Sequence, residues 1–175
     1  MMRLGLANNG AMRLFLALWP DDAVRGCLAR AQAAWAWPQR AARVPLERLH
    51  LTLHFLDEVD GRAAGRLAAS LPPLTSPLAL RLDRPVLWPQ GIAVLEPSSV
   101  PAGLASLHAE LAALLRGQGL PVEARPFRPH VTLARHAQGA MPPGKSPPVE
   151  WRADGYALVR SVAGPPLRYE PIAFF

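Results

Sequence analysis

A four-residue phrase that occurs twice, His50-Leu51-Thr52-Leu53 and His130-Val131-Thr132-Leu133, constrains this chain more than any other feature. Successive side chains of an extended segment point to opposite faces, so each copy offers one imidazole and one hydroxyl to one surface and apolar side chains to the other. The surroundings are duplicated as well. Phe15-Leu16-Ala17-Leu18-Trp19-Pro20 is echoed by Ile92-Ala93-Val94-Leu95-Glu96-Pro97, and after each come a helical stretch, a loop and the His-x-Thr-Leu segment. A repeated strand-helix-strand unit predicts an internal duplication with pseudo-two-fold symmetry. Two such halves can set both motif strands side by side at the axis, bringing residues distant in sequence into one cleft.

The expected fold is therefore α+β and bilobal: antiparallel-rich sheets surround a central cleft, with helices outside. Arg13 to Trp19 reads as a buried strand, and Pro20-Asp21-Asp22 as a turn and helix start. Val24, Cys27, Leu28, Ala31 and Trp35 then recur at helical spacing. Leu49 to Leu56 is the first motif strand, with His50, Thr52 and His54 on one face. Ala64, Leu67, Ala68 and Leu71 mark a short helix ended by prolines. Leu78 to Leu82 and Pro85 to Trp88 read as strand segments broken at Asp83-Arg84. Ser98, Ser99 and Pro101 signal the second helix start, with Leu104, Leu107, His108, Leu111, Leu114 and Leu115 inward and Gly117 and Gly119 as the stop. Gly139 to Pro148 is a loop at the cleft edge, and Trp151 to Val162 and Leu167 to Phe175 are closing strands.

At 175 residues, half of them apolar, the chain can bury a core without disulfide or metal support. Residues 12–175 are expected to form one domain, and residues 1–11 a disordered extension. Cys27 is the only cysteine, which excludes an internal disulfide and a cysteine-rich zinc site and fits a reducing compartment. No apolar run approaches the roughly 18 residues of a membrane span, and the first residues lack a secretory signal. A cytoplasmic monomer is the expectation. The formal charge is +6, and every basic residue except Lys145 is an arginine. The guanidinium fork suits phosphate oxygens, so an anionic ligand is favoured, although scattered arginines alone do not identify nucleic acid.

Cleaving a phosphate diester needs a nucleophile deprotonated on one side of phosphorus and a leaving oxygen protonated on the other. Two imidazoles titrating near neutrality can do both without a metal or other cofactor. Each threonine hydroxyl, two residues along the same face, can orient a phosphoryl oxygen. The alternative is structural: two histidines hydrogen-bonded across a pseudo-dyad. His50 and His54 on a strand stand about 13 Å apart, too far to chelate one zinc ion. His54 is a candidate contact at the cleft rim. Arg135, at the end of the second motif strand, is a candidate phosphate ligand, and Phe127 and Trp88 are candidates for stacking on a base. His108 and His136 are assigned no role.

The two segments His50-Leu51-Thr52-Leu53-His54-Phe55-Leu56-Asp57-Glu58-Val59 and Arg125-Pro126-Phe127-Arg128-Pro129-His130-Val131-Thr132-Leu133-Ala134-Arg135 resemble the signatures of bacterial and archaeal RNA 2′,3′-cyclic phosphodiesterases. These proteins, also named 2′-5′ RNA ligases, belong to the two-histidine phosphoesterase superfamily. The opening Arg13-Leu14-Phe15-Leu16-Ala17-Leu18 and the closing Leu167-Arg168-Tyr169-Glu170-Pro171 resemble it too. The resemblance implies metal-independent opening of a 2′,3′-cyclic phosphate on RNA or a nucleotide to a 2′-phosphomonoester. It implies His130 as proton acceptor, His50 as proton donor to the 3′ oxygen, and Thr52, Thr132 and Arg135 as phosphate ligands. Asp57 stands where such proteins often have glycine. A 2′,5′-phosphodiesterase or reversible 2′-5′ RNA ligase at the same site, and a non-catalytic RNA-end binding module, are the alternatives.

Overall fold

The computed structural model describes residues 10–175. Most of the expected disordered extension, residues 1–9, lies outside the described residues, and Gly10 and Ala11 lead directly into the first strand. The chain runs β1 (Met12–Leu18), α1 (Asp22–Ala33), β2 (Ala42–Arg43), β3 (Leu51–Val59), α2 (Gly61–Ser70), β4 (Leu78–Trp88), β5 (Ile92–Pro97), α3 (Ala102–Gly117), β6 (Val131–Arg135), β7 (Val149–Ala153), β8 (Ala157–Val162) and β9 (Arg168–Phe174). No helix among the described residues is long and apolar enough to cross a membrane.

The strands join in the order β7-β4-β5-β6-β3-β1-β8-β9, with β2 added beside β6. Every pairing is antiparallel. A pseudo-dyad between β6 and β3 exchanges β5 with β1, β4 with β8 and β7 with β9, which is the duplicated α+β architecture expected of the repeat. The register pair at the seam is Leu51 with Val131, the residues that follow the two motif histidines. α1 lies against β7 and α3 against β3, so each helix packs on a strand of the opposite half. The leucines of both halves accordingly share one core, including Leu14, Leu16, Leu51, Leu111 and Leu133, all fully buried.

Local chemistry accounts for the element ends. Asp21 Oδ1 accepts from Val24 N at 2.8 Å at the start of α1, and Asp60 Oδ1 accepts from Arg62 N and Ala63 N, each at 2.9 Å, at the start of α2. α3 starts after Pro101 without a side-chain cap. Ser98, expected to open that helix, instead donates from N and Oγ to Asp83 at 2.8 and 2.9 Å. Asp83 is the irregular residue between Leu82 and Arg84 that lets β4 continue through the expected break as one strand. The expected closing strand from Trp151 to Val162 is two strands on opposite halves, β7 and β8, divided at Gly155. A Cβ on Gly155 would stand 2.5 Å from the carbonyl oxygen of Phe175, so glycine permits this close approach.

Two register shifts decide what reaches the centre. Leu16 pairs with His54 and Ala17 with Thr52, leaving Leu53 as an extra residue. Ala93 pairs with Ala134 and Val94 with Thr132, leaving Leu133 extra in the same way. Each motif strand is thus bulged at the leucine of His-x-Thr-Leu, and alternation inverts beyond it. A further shift opposite Leu56 accompanies the positive φ of 53° at Asp57.

The expected cleft contact by His54 is corrected by this bulge. His54 is 2% exposed, donates from Nε2 to the carbonyl of His108 at 2.9 Å, and stacks on the His108 ring with centroids 4.1 Å apart. His108 stacks in turn on Phe127 at 3.9 Å. Phe127 is therefore occupied by protein and removed from base stacking. The loop from 139 to 148 is also displaced from the expected cleft edge: Met141 exchanges two backbone hydrogen bonds of 3.1 Å with Ala36, and Lys145 to Pro148 face Cys27 and Arg30 of α1.

Burial holds the proton affinity of His54 below the ordinary imidazole value and lowers that of His108 to about 4, with the neighbouring His54 and Arg116 adding to the effect on His108. An unfolded histidine titrates near ~6.5, so between the two values the unfolded chain binds more protons. Stability is full above that range and falls as pH drops through it. His108→Phe, which keeps an aromatic ring in the stack, should shrink the difference in melting temperature between pH 7.5 and pH 5. An unchanged difference would show that other groups carry the acid sensitivity.

Candidate active site

The motif strands β3 and β6 form the floor of a cavity of about 360 Å³. His50, Thr52, His130, Thr132 and Arg135 all line it, together with Phe15, Ala42, Arg43, Val44, Arg48, Phe55, His136, Leu167 and Tyr169. Five of the eight sequence-predicted site residues are thus brought together; His54 and Phe127 are on the other side of the sheet with α3, and Trp88 does not line the cavity.

The two histidines are held alike. His50 Nδ1 lies 2.6 Å from the carbonyl oxygen of Arg48, and His130 Nδ1 lies 2.7 Å from that of Arg128. A carbonyl only accepts, so Nδ1 carries the proton in both neutral rings and the lone pair is on Nε2. The Thr52 hydroxyl is 3.0 Å from Nε2 of His50 and donates to it in this tautomer.

Their surroundings differ. Phe15, Trp19 and Tyr169 crowd His50 at centroid distances of 4.9, 5.8 and 5.3 Å. Burial therefore pushes His50 down to about 4, and the charges of His130, Arg48 and Arg135 add to the effect against the opposing Arg48 carbonyl. Burial also lowers His130, but here both the Arg128 carbonyl and the carboxylate of Glu96 work against it. Glu96 is itself buried, accepting from Trp88 Nε1 at 2.7 Å and pairing with Arg128 Nε at 2.7 Å. Arg128 stands 4.4 Å over the Trp88 ring, whose centroid is 4.4 Å from that of His130. Trp88 thus packs between protein groups and is not a cavity wall.

Sequence reasoning missed Arg48, Phe55, Tyr169 and the short strand β2 with Arg43. A signal for the first was present: both copies read Arg-x-His-x-Thr, Arg48 to Thr52 and Arg128 to Thr132. Arg48 donates to the carbonyl of Leu167 at 3.0 Å and faces the Tyr169 ring at 5.6 Å, tying β9 to the cleft. Gln32 of α1 braces the opposite wall, its Nε2 donating to the carbonyls of Val44 and Leu133, each at 2.9 Å. Among the described residues no group of three or more His, Cys, Asp or Glu side chains gathers as metal ligands.

A protein-family model described as the 2′-5′ RNA ligase superfamily matches residues 20–165, which include both motifs. The chain belongs to that family. A relative from Thermus thermophilus, named RNA 2′,3′-cyclic phosphodiesterase, is 34% identical over 88% of this chain and 84% of its own. One from Escherichia coli with the same name is 32% identical over 75% of this chain and 78% of its own. The crystal structure of E. coli LigT complexed with 3′-AMP superposes with a TM-score of 0.78 at 27% identity, covering 94% of this chain and 97% of that one.

Glu96→Gln removes the negative charge that favours protonated His130, so it should lower the His130 titration midpoint further, read from imidazole chemical shifts against pH. An unmoved midpoint would mean that Arg128 already neutralises the field of Glu96.

Proposed function

We propose that this hydrolase opens RNA and nucleotide 2′,3′-cyclic phosphates to 2′-phosphomonoesters by acid-base catalysis between His50 and His130, without a metal or other cofactor. The observation that carries the reading is the matched pair of imidazoles, each fixed through Nδ1 and contributed by a different half, lining one cavity with two threonines and Arg135. A binding module would need cationic and stacking groups but no such pair of oriented, titratable rings. The relatives named RNA 2′,3′-cyclic phosphodiesterase and the 3′-AMP bound by LigT support the substrate class.

In this mechanism a water oxygen attacks phosphorus while His130 Nε2 takes its proton. The bond from phosphorus to the 3′ oxygen breaks, and that oxygen takes a proton from His50 Nε2. Thr52, Thr132 and Arg135 hold the non-bridging oxygens as charge builds on them. The low proton affinity of His50 makes it a strong acid once charged. The anionic phosphate beside it supplies the field that charges it, raising its affinity from the ligand-free value. All these side chains come from one chain, which supports action as a monomer, and an RNA substrate fits a cytoplasmic setting.

A second assignment exchanges the two roles, and the Glu96 carboxylate favours it by supporting the protonated form of His130. The two are separated by a substrate whose 3′ leaving atom is sulfur, since a thiolate departs without protonation. The variant lacking the donor keeps its activity on that substrate, whereas the variant lacking the acceptor does not. Under the assignment preferred here, His50→Ala is the variant rescued.

On the oxygen substrate, His50→Ala and His130→Ala should each reduce kcat by on the order of 10²–10⁴-fold. Thr52→Ala and Thr132→Ala should lower kcat/KM by about tenfold, as expected for a lost charge-assisted hydrogen bond. Activity should persist in chelator, and the product should run with a 2′-phosphate standard. Loss of turnover in chelator and its return with zinc, or a 3′-phosphate product, would overturn the mechanism. The pH profile should be bell-shaped, its limbs belonging to the coupled pair.

A further inference from the structure

The two motif strands are related by a pseudo-dyad, yet the residues five positions beyond each histidine differ: Phe55 after His50 and Arg135 after His130. The bulges at Leu53 and Leu133 turn both onto the cleft face. Because β3 and β6 are antiparallel and register at Leu51 and Val131, these equivalents diverge toward opposite ends of the cleft. One end is aromatic and the other cationic.

The cationic end is more strongly charged than one phosphate diester requires. β2 sets Ala42 opposite Arg135 and Arg43 opposite Ala134, which brings Arg43 into the cavity lining, and His136 follows at once with φ of 52°. The cavity lining contains three arginines and three histidines and no carboxylate. Among the described residues, neither Arg43 nor Arg135 forms an ion pair. Because Leu133 is bulged, Arg135 lies two rungs beyond Thr132 and His136 three, a reach of roughly 10 Å to His136 at the strand rise. Thr52, Thr132 and Arg135 suffice for the one negative charge of the reacting phosphate, which leaves Arg43 and His136 of the lining unused by it.

We propose that the cleft is polarised for a nucleotide chain end: the terminal base stacks toward Phe55, and Arg43 with His136 binds the phosphate on the 5′ oxygen of the terminal nucleotide. This deepens the function proposed above and rests on it. The shared chemistry is a phosphate on the 5′ oxygen, which either a 5′-phosphorylated mononucleotide or an internucleotide linkage supplies. Exposed guanidinium groups on an extended wall suit a flexible strand, and an aromatic face accepts any base.

The test compares three substrates ending in a 2′,3′-cyclic phosphate: a nucleoside with a free 5′ hydroxyl, the same nucleoside with a 5′-phosphate, and a dinucleotide. For the intact protein, kcat/KM should rise about tenfold from the first to the other two, with a steeper salt dependence for both charged substrates. Arg43→Ala should reduce that preference about tenfold and flatten the extra salt dependence by about one counterion, while Arg43→Lys restores part of it. Phe55→Ala should lower kcat/KM for all three substrates alike. A preference for the dinucleotide alone would assign the subsite to the internucleotide linkage and its upstream ribose. Equal preference for both charged substrates would assign it to the phosphate itself, and either result supports the proposal. An Arg43→Ala protein that keeps the intact preference, or an intact protein with none, would overturn it. Hydrolysis of the 5′-hydroxyl substrate keeps these outcomes separate from the function itself: if no substrate turns over, the same comparison made as binding of the 2′-monophosphate products decides the subsite independently.

Discussion

The register pair between Leu51 and Val131 is the contact on which the site depends. Those two residues are buried, follow the two histidines directly, and join the halves of the sheet at the pseudo-dyad. A slip of one residue on either strand would turn His50 or His130 and its threonine into the leucine core. That outcome is opposed from both sides, because it would bury an imidazole without a partner and expose a leucine. The same packing that excludes water from the core therefore fixes the relative position of the two catalytic candidates. The crossed helices strengthen it: α3 covers β3 and α1 reaches β7, so neither half completes its core alone.

Above this seam, the bulges at Leu53 and Leu133 do the selecting. A regular strand would have set His54 and Ala134 beside the threonines. The extra leucine in each strand instead sends His54 and Ala134 to the core side and delivers Phe55 and Arg135 to the cavity. One local irregularity, made twice, thereby builds a floor in which the reacting pair is symmetric and its flanks are not. The ring stack of His54, His108 and Phe127 is the other consequence, since it fills the space beneath α3 with groups that stay neutral near pH 7.

Much of this was legible in the residues. The duplication, the order of strand, helix and motif strand, the apolar stripes of α1, α2 and α3, and the convergence of His50, Thr52, His130 and Thr132 all follow from periodicity and repeat spacing, whereas Arg135 was named from its place at the strand end and from the family resemblance. What was not legible was set by tertiary pairing. Strict alternation put His54 with His50, because a bulge leaves no mark in a run of apolar and polar residues that reads equally well either way. Trp151 to Val162 read as one strand because both pieces are apolar, and only the meeting of Gly155 with Phe175 explains the change of half. β2 is two exposed residues, Ala42 and Arg43, whose place beside β6 is fixed by neighbours such as Gln32 and not by their own pattern. The paired Arg48 and Arg128 were in plain view, but their division of labour depends on partners, Tyr169 and Leu167 for one and Glu96 and Trp88 for the other.

Duplication makes two equivalent histidines, whereas hydrolysis of a diester needs one to give a proton and the other to take one. The difference must come from what surrounds them. Around His50 the neighbours are aromatic and the fixed charges are positive, so its proton is held weakly until an anion enters. Around His130 a buried carboxylate offsets the arginines, so less opposes a charge on that ring. A bound phosphate therefore acts most strongly on the ring whose environment is most hostile to charge. Under the proposed mechanism that ring is the donor, so the acid is charged when a phosphate is present to stabilise it and is neutral otherwise. The same anion weakens the pull of Arg48 and Arg135 on the pair, which lets a site lined by three arginines hold a protonated imidazole during turnover.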